Sequence, residues 1–442
     1  MHKYQTSLFV FQNDLRVTDN LALLEASKSS ESLVCCFCLD PSATRYGRYG
    51  IPSLGQHRLK FLQESLQCLS AELEKRGQKL LVLRGSFEKE VTRAISELGA
   101  DAVFISEHQG VYEQRHLALV KNRFPFLPFY EISNNTLFNE HDLPFLLDEL
   151  PATFSQFRKQ VEPLKDSYHV ADIKNLAPAP KNFDVAIVPP FESSTTYQLY
   201  RGGELAGVSH LQNYFSEGYA SDYKQTRNAL DDFQSSTKFS PWLALGCMSA
   251  RQVMSALRSY EQQHEANEST YWISFELLWR EFFFWYAKKH GAKLFAFRGL
   301  STTSPKTSFY PERFQKWCSG NTPFPIVNAC MKQLNATGYM SNRGRQVVAS
   351  CFVHELGLDW RYGAAYFEHQ LIDYDVSSNW GNWQYLAGVG ADPRGHRRFN
   401  LEKQAAQYDP EGEFIKRWGG NIKAQPIDSV DAADWPITNE KL

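Results

Sequence analysis

The stretch Ser7-Leu-Phe-Val-Phe11 begins the chain with an apolar run of the length and composition that a buried β-strand favours. Four further runs of this kind are found at residues 33–39, 79–83, 102–105 and 128–132. Amphipathic helical patterns separate them, at residues 20–28, 54–76, 87–98 and 112–122. Alternating strands and helices predict a parallel sheet with helices on both faces, so residues 1–135 are predicted to form a Rossmann-like α/β domain.

A different pattern begins beyond this domain. Residues 136–195 are rich in proline, which indicates a long interdomain connector over the surface. From residue 196 on, apolar side chains recur with the 3.6-residue period of a helix, at 205–215, 248–257, 272–289, 326–334 and 347–356. These patterns predict an all-α C-terminal domain over residues 196–425, followed by a short acidic tail at 426–442. All 10 tryptophans lie after residue 240, so the two halves are different kinds of domain.

Composition narrows the class of protein. The chain has 442 residues, of which 43% are hydrophobic and 22% charged, enough for two soluble domains. Because it contains no apolar stretch of membrane-spanning length and no secretory signal pattern, a cytoplasmic protein without a membrane contact is expected. Its 8 cysteines form neither a CxxC pair nor a zinc pattern, which favours free buried thiols in a reducing compartment and no metal site.

The distribution of charge gives a first indication of a partner. The net charge is −2, but residues 196–420 contain 24 basic and 21 acidic residues. A small positive excess is by itself a weak indication of nucleic-acid binding. Two local clusters strengthen it, Arg343/Arg345 and Arg394/His396/Arg397/Arg398.

One polar face is predicted within the helical half. Glu276-Leu-Leu-Trp279-Arg280 places a carboxylate, an indole and a guanidinium on the same side of a helix, because their spacing is i, i+3 and i+4. Such a face could bind a planar ligand by stacking and hydrogen bonding. A core tryptophan between solvated charges gives the same local pattern, so this alternative stays open.

Three other segments also concentrate polar groups. In Ser341-Asn-Arg-Gly-Arg-Gln346, Ser341 or Asn342 could cap a helix whose N-terminus binds anions, or the arginines could simply be solvated. Residues 373–385 are dense in acids, amides and aromatics, which indicates a binding site. The alternative is a purely structural segment, in which most of these side chains would be buried and hydrogen-bonded to one another. Ser236-Thr-Lys-Phe-Ser240 could hold a phosphate with its hydroxyl and backbone N–H groups, or be an ordinary helix cap.

Together these segments resemble one family, the photolyase/cryptochrome flavoproteins. The resemblance runs over nearly the whole chain, from Phe11-Gln-Asn-Asp-Leu-Arg-Val-Thr-Asp-Asn20 to Tyr408-Asp-Pro-Glu-Gly412. It is strongest over Gly338-Tyr-Met-Ser-Asn-Arg-Gly-Arg345 and Asp359-Trp-Arg-Tyr-Gly363. The family fold implied is a parallel-sheet domain followed by an all-α domain that binds FAD.

Within the family, the segments at 341–346 and 372–376 are similar to those of the cryptochrome DASH branch. Gln346 and Tyr385 also resemble that branch, because ordinary dimer photolyases usually carry Met and Trp at these positions.

The resemblance implies an FAD folded inside the helical domain. Tyr223 matches a tyrosine of the flavin pocket, and Asn379 matches the side chain facing flavin N5, where an amide adds no negative charge. Asp373 and Asp375 match the acids beside the isoalloxazine ring, and Arg345 matches the arginine paired with the first of them, a pair that can be bidentate. Five residues match the diphosphate-binding segment, Ser236, Thr237, Lys238, Phe239 and Ser240.

The substrate implied is a cyclobutane pyrimidine dimer flipped out of its strand. Trp279 would stack on the dimer and Glu276 would hydrogen-bond the base edge. The remaining matches are Asn342, Gln346 and Tyr385 in the pocket, with Arg227 and Arg397 at phosphates. The activity implied is blue-light repair of the dimer by an electron from excited reduced FAD. The branch implies single-stranded DNA as the preferred substrate, with RNA as a further candidate partner.

The family also has an electron-transfer chain of three tryptophans. Trp383 matches the member next to the flavin and Trp360 the middle member. Thr307 stands at the distal position, so the third tryptophan is missing. Phe309, Tyr310 and Trp317 are candidates to replace it, and Tyr310 is our prediction.

An antenna chromophore in the N-terminal domain is a further implication of the resemblance. In the family it is often methenyltetrahydrofolate, and residues 107–115 cover the matching stretch. Glu113 is the predicted ligand.

Two other functions are alternatives to repair. One is a cryptochrome-type photoreceptor that binds FAD and nucleic acid with little repair, and the other is a flavin-binding helical protein without a DNA role. Glu276, Trp279 and Asn342 favour repair, as does a C-terminal extension of only about 22 residues after Gly420. The protein is expected to be a monomer.

Overall fold

The computed structural model describes residues 3–164, 170–181, 199–391, 397–422 and 426–428. Five strands form one sheet: β1 (Tyr4–Phe11), β2 (Ser30–Leu39), β3 (Leu80–Arg84), β4 (Ala102–Ser106) and β5 (Phe129–Ile132). The strand order is β3-β2-β1-β4-β5, and every neighbouring pair is parallel. The predicted parallel sheet is confirmed.

The sheet is buried on both faces. In β1, Phe9 and Phe11 contribute to one hydrophobic cluster, and Leu8 and Val10 contribute to another, because side chains alternate along a strand. The four helices beside the sheet are α1 (Leu21–Ser29), α2 (Gln56–Glu74), α3 (Phe87–Leu98) and α4 (Val111–Arg123). The apolar residues of α1 and α2 belong to the first cluster and those of α3 and α4 to the second, so helices cover both faces as predicted.

The second half is helical. Its helices, with the one preceding it, are α5 (Phe154–Val161), α6 (Glu204–Ser216), α7 (Tyr223–Thr226), α8 (Ser240–Ala244), α9 (Ala250–His264), α10 (Glu268–His290), α11 (Pro311–Ser319), α12 (Pro325–Thr337), α13 (Asn342–Ser350), α14 (Trp360–Gln370), α15 (Val376–Leu386), α16 (Leu401–Tyr408) and α17 (Glu413–Arg417). Short 3-10 turns lie at Pro41–Thr44, Glu140–Asp142, Leu147–Glu149, Tyr219–Asp222 and Gly291–Phe295. A π-helical turn, Cys351–Glu355, continues α13. The predicted all-α second half is confirmed.

The connector is more buried than the sequence predicts. Phe154, Phe157 and Val161 of α5 are 5%, 0% and 0% exposed, because their spacing of i, i+3 and i+7 puts them on one helix face. The domain limits at 135, 195 and 425 stay predictions. The last two fall on residues 182–198 and 423–425, which lie outside the described residues, as do 165–169 and 429–442. Arg394 and His396 of the basic cluster also lie outside them.

The loop after β1 joins the two halves. Arg16 donates hydrogen bonds to the carbonyl oxygens of Gly246, at 2.9 Å, and Asn134, at 2.8 Å. Arg251 of α9 pairs with Asp19, with Nε and Oδ2 3.0 Å apart. At Gly246, φ is +65°, and a Cβ there would collide with the backbone of Asn13. The segment 11–20 therefore has a structural role, which is to fix the sheet domain against the helical domain.

Within the described part of the chain, the helices are all too short or too polar to cross a membrane. The 8 cysteines predicted to be thiols are unpaired, and Cys35, Cys36, Cys247, Cys330 and Cys351 are buried.

Candidate functional site

A cavity of about 780 Å³ opens in the helical domain. It brings together all the residues that the resemblance assigned to DNA: Arg227, Glu276, Trp279, Asn342, Gln346, Tyr385 and Arg397. Ser240, Arg345 and Asp373 of the flavin set lie in the same wall. Its volume is within the usual range for a site that encloses a small organic ligand.

A smaller cavity of about 120 Å³ adjoins the first. Asn342, Arg345, Gln346 and Asp373 line both cavities. Asp375, Asn379 and Trp383 line the smaller one. The flavin set and the DNA set therefore meet at a shared wall formed by the start of α13 and the segment before α15.

Arg345 and Asp373 form the ion pair that the sequence predicts. Arg345 Nη2 lies 2.8 Å from Asp373 Oδ2, and Ser240 Oγ donates to the same oxygen at 2.6 Å. The pair is not bidentate, because Arg345 Nε donates to the Met340 carbonyl oxygen at 2.8 Å. Asp373 Oδ1 is buried and has no hydrogen-bond partner among the described residues.

Two further residues of the predicted flavin set in the smaller cavity, Asp375 and Asn379, also have local roles. Asp375 caps α15, with Oδ1 accepting from the Ser378 N–H at 2.7 Å. Its Oδ2 accepts a 3.5 Å hydrogen bond from Gln109, so it also contacts the sheet domain. Asn379 donates from Nδ2 to the Ala364 carbonyl oxygen at 3.0 Å, which fixes the orientation of its amide.

Glu276 and Trp279 lie on one face of α10, as their spacing predicts. Arg227 Nη1 is 2.5 Å from Glu276 Oε1, and the Arg227 guanidinium also lies 4.6 Å from the Trp272 ring. Burial raises the pKa of the Glu276 carboxyl, and the positive charge of Arg227 opposes that rise. Arg227 therefore points into the cavity and pairs with the carboxylate.

Tyr385 lies beside Trp279 in the cavity wall. Its ring is 6.0 Å from Trp279 in an edge-to-face arrangement, and the Arg397 guanidinium lies 4.5 Å above it. The cation–π contact holds a basic group at the rim. Asn342 is exposed at the first turn of α13, and Ser341 is the residue that caps this helix, accepting from the Gly344 N–H at 3.1 Å.

The proposed diphosphate segment is only partly at the cavity. Ser240 lines it, whereas Phe239 packs into the core against Tyr214, with ring centroids 5.2 Å apart. Lys238 has a φ of +52° and its ammonium lies 5.1 Å from the Tyr339 ring. The remaining members, Ser236 and Thr237, are half-buried, and Tyr223 is buried.

The tryptophans assigned to electron transfer are buried. Trp383 is 6.2 Å from Trp317, and Gly363 lies so close to Trp383 that a Cβ would collide with the indole. Trp360 donates to the Phe297 carbonyl oxygen at 2.9 Å and lies 5.8 Å from the Trp380 ring.

Trp317, Phe309 and Tyr310, the three candidates for the missing distal member, lie in different surroundings. Trp317 is fully buried, Phe309 stacks on Tyr362 at 4.0 Å, and Tyr310 lies 4.4 Å from the Arg313 guanidinium. The role of Tyr310 stays a prediction.

The stretch predicted to bind an antenna faces the helical domain. Glu113 lies in the first turn of α4, with Oε2 3.9 Å from His108 Nδ1. The neighbouring Tyr112 ring is 5.8 Å from Phe295, across the boundary between the halves. Glu107 pairs with Lys288 of α10.

Sequence reasoning missed Phe154 as a cavity residue. It lines the large cavity and stacks on Trp279, although it belongs to the connector. The apolar spacing in residues 154–161 is the signal that could have indicated a buried helix within the predicted surface connector, but no local pattern indicates which helix it contacts. Within the described residues, no group of three or more His, Cys, Asp or Glu side chains is placed to hold a metal ion.

The chain was compared with protein-family models and known proteins. A model described as the FAD binding domain of DNA photolyase matches residues 272–441, and one described as DNA photolyase matches residues 7–181. A protein of Idiomarina loihiensis named Cryptochrome DASH is 67% identical over 441 residues, which are 99% of this chain and 98% of the relative. A Synechocystis protein of the same name is 40% identical, covering 97% of this chain and 90% of the relative.

Solved structures agree with these relatives. The crystal structure of a Synechocystis cryptochrome superposes with a TM-score of 0.88 at 39% identity, covering 97% of this chain and 91% of that one. A class III photolyase from Agrobacterium tumefaciens superposes with a TM-score of 0.81 at 28% identity, covering 95% and 87%. The sheet domain, the helical domain and the cavity between its helices are thus those of a photolyase-type flavoprotein. The chain belongs to the photolyase/cryptochrome family, within its cryptochrome DASH branch.

The residues of the site fit the FAD that this family binds. Asp373 Oδ1 is a buried carboxylate oxygen without a partner among the described residues. Leaving such an atom unsatisfied costs free energy, so a hydroxyl or N–H donor of a ligand in the cavity would stabilise the site. The adjoining Arg345, which holds the other carboxylate oxygen, fixes the direction in which this acceptor points.

Proposed function

We propose that the protein repairs cyclobutane pyrimidine dimers under blue light and prefers single-stranded DNA. The observation that supports this most directly is the composition of the large cavity. It contains every side chain assigned to the lesion and shares a wall with the Arg345–Asp373 pair assigned to the flavin. Bound reduced FAD would supply, on absorbing light, the electron that opens the dimer.

Each cavity residue has a specific task in this proposal. Trp279 stacks on the flipped-out dimer, and the Glu276 carboxylate accepts a hydrogen bond from a base N–H. Arg227 keeps that carboxylate oriented by pairing with it. The amides Asn342 and Gln346 hydrogen-bond the base edges, while Tyr385, beside Trp279, holds Arg397 where a phosphate would pass.

The strand preference has a physical basis. Flipping a dimer out of a duplex costs the unpairing and unstacking of its bases, and a single strand avoids most of that cost. Phosphate contacts must offset the remainder, and residues 196–420 have only a small positive excess. A small net positive charge offsets little of this cost, which favours a strand that is already open. RNA as a further partner, a monomeric state and a cytoplasmic location belong to the same proposal.

FAD would be held by the residues that carry the resemblance, namely Tyr223, Ser236, Thr237, Lys238, Phe239, Ser240, Arg345, Asp373, Asp375 and Asn379. Methenyltetrahydrofolate is the proposed antenna, with Glu113 as its ligand near the boundary between the halves. A solved archaeal photolyase from Sulfolobus tokodaii contains two FAD molecules. Mass spectrometry of the chromophores released from purified protein would distinguish a folate from a second flavin.

Repair can be tested with the reduced, FAD-loaded protein and an oligonucleotide carrying one dimer. We expect blue light to remove the dimer from the single strand faster than from the duplex, with no change in the dark. Trp279→Ala should weaken dimer binding and keep the flavin, whereas Trp418→Ala, whose indole donates to Asp231, should leave dimer binding unchanged. Failure to repair either substrate with reduced FAD bound would overturn the proposal and favour a photoreceptor.

A further inference from the structure

One aromatic ring of the connector lies against the predicted lesion platform. Phe154, the first residue of α5, stacks on Trp279 with ring centroids 3.8 Å apart and planes 13° from parallel. Its contacts with Phe275 and Phe282, at 5.0 and 6.1 Å, are edge-to-face. Phe154 is buried but still reaches the cavity, where both Phe154 and Trp279 form part of the wall.

The position of Phe154 is fixed by its own helix. Thr153 caps α5 by accepting from the Gln156 N–H at 3.4 Å. Phe157 and Val161, on the same face as Phe154, are fully buried. Moving α5 away from Trp279 would require these two side chains to leave the core, which is costly. Phe154 is therefore an anchored wall of the site and not a removable plug.

The parallel stack is imposed by the packing of α5 against α10. Two isolated aromatic rings prefer an offset or edge-to-face arrangement to a close face-to-face one. Trp279 also has Phe283 at 5.5 Å and Tyr385 edge-to-face at 6.0 Å. The indole is therefore ordered before any ligand enters, which lowers the entropy lost on binding.

We propose that Phe154 is a positioning residue for the lesion. It covers one face of Trp279 and fixes the indole plane, so that a flipped-out dimer meets the indole from the cavity side. This inference rests on the proposed function. It makes the connector part of the lesion site, although none of the DNA-binding assignments made from the sequence falls there.

A matched pair of variants tests the proposal. Phe154→Leu removes the ring from Trp279 and keeps the apolar volume, while Phe157→Leu makes the same change one turn later, at a ring that contacts Phe145 and Phe282. We expect Phe154→Leu to raise the Kd for a single-stranded dimer oligonucleotide in the dark by about three- to tenfold. FAD content should stay at the wild-type level. Phe157→Leu should change the Kd by less than about twofold, and Phe154→Tyr should retain wild-type affinity.

A double-mutant cycle separates positioning from general packing. In the Trp279→Ala background, Phe154→Leu should have no further effect on the Kd, because Phe154 acts through the indole. Wild-type affinity in Phe154→Leu, an equal loss in Phe157→Leu, or an additive loss in the double variant would each overturn the inference. If the wild-type protein fails to distinguish the dimer from undamaged DNA, the proposed function itself fails.

Discussion

Arg227 and Glu276 form an ion pair inside the cavity, with Nη1 and Oε1 2.5 Å apart. Burial raises the pKa of the Glu276 carboxyl, and Arg227 opposes protonation. Arg227, which the resemblance assigned to a phosphate, therefore favours the ionised form of Glu276, which the resemblance assigned to the base edge. Lesion recognition is expected to depend on this pair.

Lesion affinity should fall as the pH falls. The raised pKa means that Glu276 takes up its proton at a higher pH than an ordinary glutamate, and a protonated carboxyl is a poorer acceptor for the base N–H. The Kd of a dimer oligonucleotide, measured from about pH 8 to about pH 5, should rise in the wild type. Arg227→Ala should move that rise to higher pH.

Glu276→Gln is the control for this titration. The amide cannot titrate, so this variant should bind weakly with a Kd that varies little over the same range. A flat wild-type profile would contradict the role of the carboxylate.

The Arg345–Asp373 pair should be needed to retain FAD. Asp373→Asn removes the charge that Arg345 pairs with and leaves a buried guanidinium without its counterion. We expect the Kd for FAD to rise about tenfold or more, since a hydrogen bond to a charged group contributes about 1.5–3 kcal/mol. The measurement is the ratio of flavin to protein absorbance after dialysis.

Asp359→Asn is the matched control, because Asp359 pairs with Arg361 in a similarly buried site at 2.7 Å. It should lower stability without releasing flavin. Equal flavin loss in the two variants would show that breaking any buried ion pair releases the flavin, and not the loss of Asp373 in particular.

Glu368 should reduce stability at alkaline pH. Burial raises the pKa of its carboxyl from 4.5 to about 7, although Arg58 opposes the rise. A carboxyl with a raised folded-state pKa stabilises the protein below its unfolded value and loses that contribution as the pH rises through the folded value. Glu368→Gln should therefore increase the free energy of unfolding more at pH 8 than at pH 5, by up to about 3 kcal/mol.

Denaturant unfolding at the two pH values measures this difference. Glu411→Gln, which makes the same substitution at an exposed carboxyl, provides the comparison. A Glu368→Gln variant that is less stable than wild type at both pH values would contradict the prediction.

The contact between the two halves should lose stability when Arg251 is replaced. Arg251→Ala removes the guanidinium that pairs directly with Asp19, whose side chain is fully buried. We expect the free energy of unfolding to fall by about 3–5 kcal/mol. Arg258→Ala, in the same helix, breaks a more exposed pair with Glu261 and should cost about 1 kcal/mol or less. Similar losses of unfolding free energy in the two variants would argue against a special role of the Arg251–Asp19 pair between the halves.

The elements could be predicted because their patterns are local. The apolar run in β1 and the helical period in α3 depend on neighbouring residues, and both elements lie within a few residues of the predicted bounds. The helix whose apolar period covers 347–356 begins at Asn342, and Ser341, one of its two predicted caps, is the residue that caps it.

The contacts of the site depended on packing. The sequence predicts the Arg345–Asp373 pair through the resemblance, but not that Arg345 also binds the Met340 carbonyl oxygen. The sequence also does not predict that Arg227 pairs with Glu276 inside the cavity. Both facts follow from how the segments before α13 and around α7 pack against the rest of the helical domain.

By itself, the sequence determined the sheet, the helices and the chemistry available, since spacing and residue type follow from the order of the residues. Only the tertiary structure decided which distant groups meet. Phe154 in α5 and Trp279 in α10 are far apart in the chain, and their stacking results from the burial of two helix faces against each other. Such contacts depend on both partners and on the packing between them, so no local pattern contains them.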